Sequence, residues 1–157
     1  MQEAVSEPRW LAKPEEAAWR GLLRMHAQLT AELARRLAAE SSLSYQDYEV
    51  LVALTDQPNS RLRGFELGEA LGWEKSRVSH HLARMSERGL VKKVPCTTDR
   101  RGSFVAATAR GRREIGSAAL GHVAAVRKLF VDQLTPAQLN AIAQASTDIL
   151  EALTSDT

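Results

Sequence analysis

The spacing of apolar residues along the chain predicts a mostly helical protein with one small β unit. From Pro14 to about Glu40, Trp19, Leu22, Leu23, His26, Leu29, Leu33 and Leu37 recur at intervals of three and four, as on one face of a long amphipathic helix. A second helix is predicted to open at Ser44. Its hydroxyl can cap the first turn, Asp47 stands three residues on to reach back, and Leu43 can staple onto Tyr48. That helix should end near Asp56, because Gln57-Pro58-Asn59-Ser60 is turn chemistry. Phe65, Leu67 and Leu71 mark a short third helix closed by Gly72, and the four-residue spacing of Gly64, Gly68 and Gly72 suggests close packing in a small bundle.

A fourth helix follows Trp73, with Val78, His81, Leu82 and Met85 on its apolar side and Gly89 as its left-handed end. Leu90-Val91-Lys92-Lys93-Val94 and Ser103-Phe104-Val105-Ala106 are strand candidates on either side of a Thr97–Gly102 turn, predicting a two-stranded hairpin with a charged tip. A hairpin this small must pack its apolar side on the preceding helices, since alone it is marginal in water. Thr108 caps a fifth helix marked by Ile115, Ala119, Val123, Val126 and Phe130. Leu134 to Leu139 combines a Thr135 cap, Pro136 at the first position, Gln138 to close the capping box and a leucine staple. The sixth helix so begun carries Leu139, Ile142, Ala143, Ser146, Ile149, Leu150 and Leu153 on its core face.

Composition agrees with helix, since alanine and leucine dominate while aromatics make up 5% of the 157 residues. No run approaches the roughly 20 apolar residues of a membrane span, and Glu3, Glu7, Pro8 and Arg9 stand where a signal peptide would be apolar, so a cytoplasmic protein is expected. The single Cys96 and four histidines without CxxC, HxH or HExxH spacing lead us to expect neither disulfide nor metal site. GxSxG, phosphate-loop and dinucleotide glycine patterns are also lacking, so neither an enzyme nor a cofactor is expected.

Charge changes the picture more. The net charge is only +2, but residues 75 to 113 hold eleven Lys or Arg against Glu87 and Asp99, a local +9 that leaves −7 for the rest. One segment is thus suited to a polyanion. Two short helices, a tight turn and then a hairpin is the order of a winged helix-turn-helix, whose second helix enters the DNA major groove. Lys75, Ser76, Arg77, Ser79, His80 and Arg84 are the candidate DNA-binding residues of that helix. Arg77 leads for base reading, because a planar guanidinium can grip guanine O6 and N7 together. His81 falls on the apolar side and reads as a partly buried, satisfied histidine. Arg100 and Arg101 at the hairpin tip can reach a minor groove, with Asp99 to hold one of them; an exposed arginine-rich turn is the competing reading.

Leu71-Gly72, Ser76-x-x-Ser79, Arg84-Met85, Arg88-Gly89-Leu90-Val91, Asp99-x-Arg101 and Thr108-x-x-Gly111 together resemble the MarR (multiple antibiotic resistance regulator) family of winged-helix transcription factors. Trp10-Leu11, Trp19-Arg20, Tyr45-x-x-Tyr48 and Pro95-Cys96 resemble an actinobacterial-type subgroup. Gly68, Val94 and Ala107 depart from the family pattern, which bears on packing and phosphate contacts of the wing. The resemblance implies a mainly α fold with a small β-hairpin wing. Residues 44–107 would be the DNA-binding domain, and 14–43 with 108–154 a helical dimerisation region. It implies a homodimer, in the repressor role, on a palindromic operator, with Ser76, Arg77, Ser79 and His80 in the major groove and Arg101, steadied by Asp99, in the minor groove.

Dimerisation also follows from the pattern itself, since three long amphipathic helices carry more apolar face than one small DNA-reading unit can cover. Family members commonly bind a small aromatic or phenolic effector between the dimer helices and the DNA-reading domain. Trp19, His26, Tyr45 and Tyr48 are the candidates for that contact, with ordinary core or interface packing as the alternative. A second alternative makes the regulator a redox sensor through Cys96, which lies near Lys92, Lys93, Arg100 and Arg101 in sequence.

Overall fold

A computed structural model describes residues 9–98 and 102–155. The elements in order are α1 (Lys13–Glu40), α2 (Tyr45–Thr55), β1 (Arg61–Arg63), α3 (Gly64–Leu71), α4 (Lys75–Glu87), β2 (Val91–Pro95), β3 (Ser103–Ala107), α5 (Ala109–Leu129), a 3-10 turn (Val131–Gln133) and α6 (Pro136–Ser155). None of these helices is long and apolar enough to cross a membrane.

The chain divides after Glu32 into two compact units. In the first, α1 opens with the Ala12 amide donating to Glu15 Oε2 at 2.6 Å, and Arg20 pairs with Glu16 one turn back at 2.7 Å. Its predicted apolar stripe is present as a helical face, but Trp19, Leu22 and Leu23 are about half exposed.

The second unit holds the core. Leu37, Leu51, Leu54, Leu67, Met85 and Leu90 are buried together with residues from α5 and the sheet, so α2, α3, α4, the sheet and the start of α5 share one interior. The helix starts follow the predicted chemistry. Ser44 Oγ accepts from the Asp47 amide at 3.0 Å while Asp47 Oδ2 accepts from the Ser44 amide at 2.9 Å, closing the capping box. Thr135 and Gln138 close the equivalent box at α6. Thr108 Oγ1 accepts from the Gly111 amide at 3.0 Å and donates to the Gly89 carbonyl at 2.6 Å, so the cap of α5 also ties down the end of α4. Gly111 fits against the Leu90 carbonyl with no space for a side chain.

Five expectations need correction. The wing is part of a three-stranded antiparallel sheet in the order β1-β3-β2, not a lone hairpin. Ser60, at φ 50°, turns the chain so that Leu62 pairs with Val105 on the central strand. β1 carries only three residues, too few for a period to appear. The close approach suggested by three glycines occurs at Gly68, beside the Trp73 carbonyl and Val78; Gly64 has no such neighbour, and Gly72 serves the turn. Phe65 faces outward at 63% exposure. On α5 the buried stripe is Gly111, Ile115, Ala118 and Ala125, whereas Val123 is exposed; on α6 no residue is buried, although the predicted apolar face is continuous.

Candidate nucleic-acid interface

Gly72 adopts the left-handed conformation (φ 64°, ψ 35°), which a side chain would disfavour, and the Trp73 amide then donates to the Gly68 carbonyl at 2.9 Å. This turn sets the angle at which α4 leaves α3. α4 buries Val78, His81 and Met85, so Lys75, Ser76, Arg77, Ser79, His80 and Arg84 all lie on exposed positions of the one helix. Glu74 caps α4 without a side-chain hydrogen bond to its first turn. A short, polar and cationic face at a helix N-terminus is chemically suited to phosphates and to the base edges of a major groove.

A polar network supports that face from below. Asp47, 1% exposed, accepts from Arg88 Nη1 at 2.6 Å, and Arg88 Nη2 donates to the Ser42 carbonyl at 2.8 Å. Burial alone would raise the Asp47 pKa, but the hydrogen bonds from Arg88 and the Ser44 amide and the Arg88 charge carry it below the ordinary carboxylate value. His81 lies between Asp47 and Arg84, its Nε2 3.1 Å from Asp47 Oδ1 and its Nδ1 3.1 Å from Arg84 Nη2. The burial expected of His81 is therefore found, but the histidine is satisfied only in part: Nδ1 meets Arg84, whereas Nε2 approaches Asp47 without a hydrogen bond. Arg77 stacks its guanidinium 4.2 Å from the centre of the Trp73 ring, and Trp73 meets His81 edge-on at 5.4 Å.

β1 brings two further cations to the wing. The guanidinium groups of Arg61 and Arg63 sit 4.7 and 5.2 Å from the centre of the Phe104 ring on β3. The sequence reading missed both, because their relation to the wing depends on a strand pairing over forty residues, and three residues carry no signal of it. Cys96 Sγ lies 3.6 Å from Arg63 Nη2 and 3.2 Å from Thr98 Oγ1. Asp99, Arg100 and Arg101 fall outside the described residues.

Of the effector candidates, Trp19 and His26 are exposed on the first unit. Tyr45 and Tyr48 come together with His122, whose ring centre is 6.0 Å from that of Tyr45 and 4.4 Å from that of Tyr48. Burial raises both tyrosine pKa values and lowers that of His122, which favours neutral groups throughout this aromatic cluster. His122 was not among the candidates. Among the described residues no group of three His, Cys, Asp or Glu is arranged to hold a metal ion.

Residues 41–102 match the family model described as MarR family. AbsC, a MarR family transcriptional regulator from Streptomyces coelicolor, is 37% identical, with a TM-score of 0.87 over 94% of this chain and 99% of that one. Sco3205, a MarR family transcriptional regulator from the same organism solved in complex with DNA, is 34% identical, with a TM-score of 0.88 over 94% of this chain and 92% of that one. CouR from Rhodococcus jostii RHA1, solved with p-coumaroyl-CoA, shares the fold at 24% identity and a TM-score of 0.72, over 82% of this chain and 87% of that one. No curated protein sequence matches the chain.

Proposed function

The chain belongs to the MarR family of DNA-binding winged-helix transcriptional regulators, and from that premise we propose that it acts in the cytoplasm as a homodimeric repressor of a palindromic operator. The observation that carries this reading is the exposed cationic face of α4, whose leading arginine is already stacked in place on Trp73. Lys75, Ser76, Arg77, Ser79, His80 and Arg84 meet the major groove. Arg100 and Arg101, with Asp99, take the flanking minor groove, and Arg61 and Arg63 add charge to the same wing. Residues 44–107 form the reading unit, with 14–43 and 108–154 pairing two copies. The bare apolar face of α6 supports the pairing: Ile149, Leu150 and Leu153 are more than half exposed in the single chain. The reading assigns no catalytic role.

A small aromatic acid or its thioester is the effector class we favour, because Tyr45, Tyr48 and His122 offer neutral aromatic surface on α2 and α5. Trp19 and His26, exposed on the first unit, are separate candidates for effector contact. Such a ligand acts only through its difference in affinity between DNA-competent and incompetent dimers. A second reading, redox control through Cys96, is favoured by the Arg63 guanidinium beside the sulfur, which stabilises a thiolate.

Footprinting of genomic fragments selected by the purified protein tests the main reading. Two protected half-sites about 34–36 Å apart, one helical turn, are expected. A protein that selects no sites, or protects a single asymmetric one, overturns it.

A further inference from the structure

His81 stands between two groups that make opposite demands on its ring. Arg84 Nη2 lies 3.1 Å from Nδ1. A guanidinium only donates, so Nδ1 must offer a lone pair. On the other side Nε2 lies 3.1 Å from Asp47 Oδ1, and both atoms are sealed from water, neither of them hydrogen-bonded to any described group. A carboxylate only accepts, so the one proton of the neutral ring belongs on Nε2. The neutral Nε2–H tautomer alone suits both neighbours, since it turns a lone pair to the guanidinium and an N–H edge rather than a second lone pair to the carboxylate. Asp47 is itself fixed by Arg88 and by the Ser44 amide, so it cannot turn away from the ring without breaking the start of α2.

We propose that His81 is a positioning residue for DNA recognition: in its neutral Nε2–H form, oriented by Asp47, it holds Arg84 on the exposed side of α4, and a proton arriving at Nδ1 releases that arginine. The proposal rests on the reading that α4 contacts DNA. Its effect on binding is one of preorganisation, because an arginine already held in one geometry loses less freedom when it meets a phosphate or a base. Arg77 shares the support indirectly, through the Trp73 ring that touches both it and His81.

The charged groups facing the ring are Asp47 from α2 and Arg77 and Arg84 from α4, with Arg88 one step behind Asp47. Burial is the largest influence and disfavours the imidazolium; Asp47 favours it, and Arg84 and Arg77 oppose it. The balance lies below the ordinary histidine value, so the neutral ring prevails at neutral pH and release falls on the acid side.

Long-range proton–nitrogen correlation spectra of the intact protein, without DNA, read the tautomer and its titration. The Nε2–H form is expected at neutral pH, with a titration that moves upward in Arg84→Ala because a repelling cation is gone. An Nδ1–H tautomer, or a titration unmoved by Arg84→Ala, overturns the proposal. Affinity for a selected operator is then followed between about pH 8 and pH 5 for the parent, Arg84→Ala and His81→Asn. The asparagine carbonyl stands close to the place of Nδ1, accepts from Arg84 and does not titrate. The parent should lose affinity several-fold as His81 protonates, against the general tendency of a cationic protein to hold DNA more tightly in acid. Both variants should lack that loss, whatever their affinity at neutral pH. An equal loss in all three proteins overturns the proposal. A parent that binds no duplex even at neutral pH overturns instead the reading on which it rests, a result distinct from a wrong tautomer.

Discussion

Arg88 Nη1 donates to Asp47 Oδ2 at 2.6 Å, joining the residue after α4 to the first turn of α2. The carboxylate is buried and the guanidinium partly open, so removing Asp47 strands a cation and undoes a helix cap in one step. Asp47→Ala should therefore lower unfolding free energy by about 2–4 kcal/mol. The sign with pH follows from the depressed Asp47 pKa. Its contribution is present above the unfolded carboxylate value and is lost as pH falls through the lower folded value. Denaturant unfolding of parent and variant should thus converge in strong acid; a constant gap across the whole range would contradict the assignment.

Gly111 makes a sharper prediction. A methyl group there would collide with the Leu90 carbonyl and come within 3.1 Å of Leu51 Cδ2, with backbone on one side and core on the other. Gly111→Ala should cost about 2–3 kcal/mol or more. Gly116→Ala, one and a half turns along the same helix with no atom near the new methyl, should instead gain about 0.5–1 kcal/mol from helix propensity. Thermal melts of the two variants should move in opposite directions.

Base reading and backbone attraction separate by their dependence on sequence and salt. Arg77→Ala should remove about 1–3 kcal/mol of discrimination at particular base pairs. Arg77→Lys should not restore it, because an ammonium neither stacks flat on Trp73 nor forks onto guanine. Arg101→Ala should weaken binding across all sequences and reduce the salt slope by about 1. Titrations of matched and mismatched duplexes at several salt concentrations measure both, and identical profiles for the two variants would refute the division of labour.

The legible parts of this molecule are those whose chemistry is local. Ser44 with Asp47, Thr135 with Gln138, and Gly72 and Gly89 at helix ends declare themselves within four residues, and each is found as expected. The fourth-helix face was legible too, because the period that buries Val78, His81 and Met85 leaves Arg77 and Arg84 outside. What escaped depends on distant partners. β1 exists because β3 lies beside it, Arg88 finds Asp47 across 41 positions, and Phe65 and Val123 point away from a core whose position their own helices do not determine. Capping chemistry announced Asp47, but nothing in its spacing announced a second duty under α4.

Cys96 tests the redox reading directly. Its sulfur has a guanidinium beside it, and peroxide would convert a thiolate to a sulfenic acid at the end of the wing's edge strand. Under that reading peroxide should release operator from the parent and not from Cys96→Ser, with thiol reductant restoring binding. Equal release from both proteins, or from neither, removes Cys96 from the regulatory account.

The exposed face of α6 carries the last prediction. Ile149, Leu150 and Leu153 lie on one side of a helix that buries nothing in the single chain, and apolar side chains this large are seldom left to water as a continuous stripe. Leu150→Asp combined with Leu153→Asp would place two carboxylates in the interface between copies, while on an isolated helix face they would be harmless. Sedimentation should show the parent as a dimer and the variant as a monomer with its helical circular dichroism retained. Losing one of two linked half-site contacts should then reduce operator affinity by about 10²–10⁴-fold, the loss of an intramolecular second binding step. A variant that stays dimeric and binds as the parent does would place the interface elsewhere on the chain.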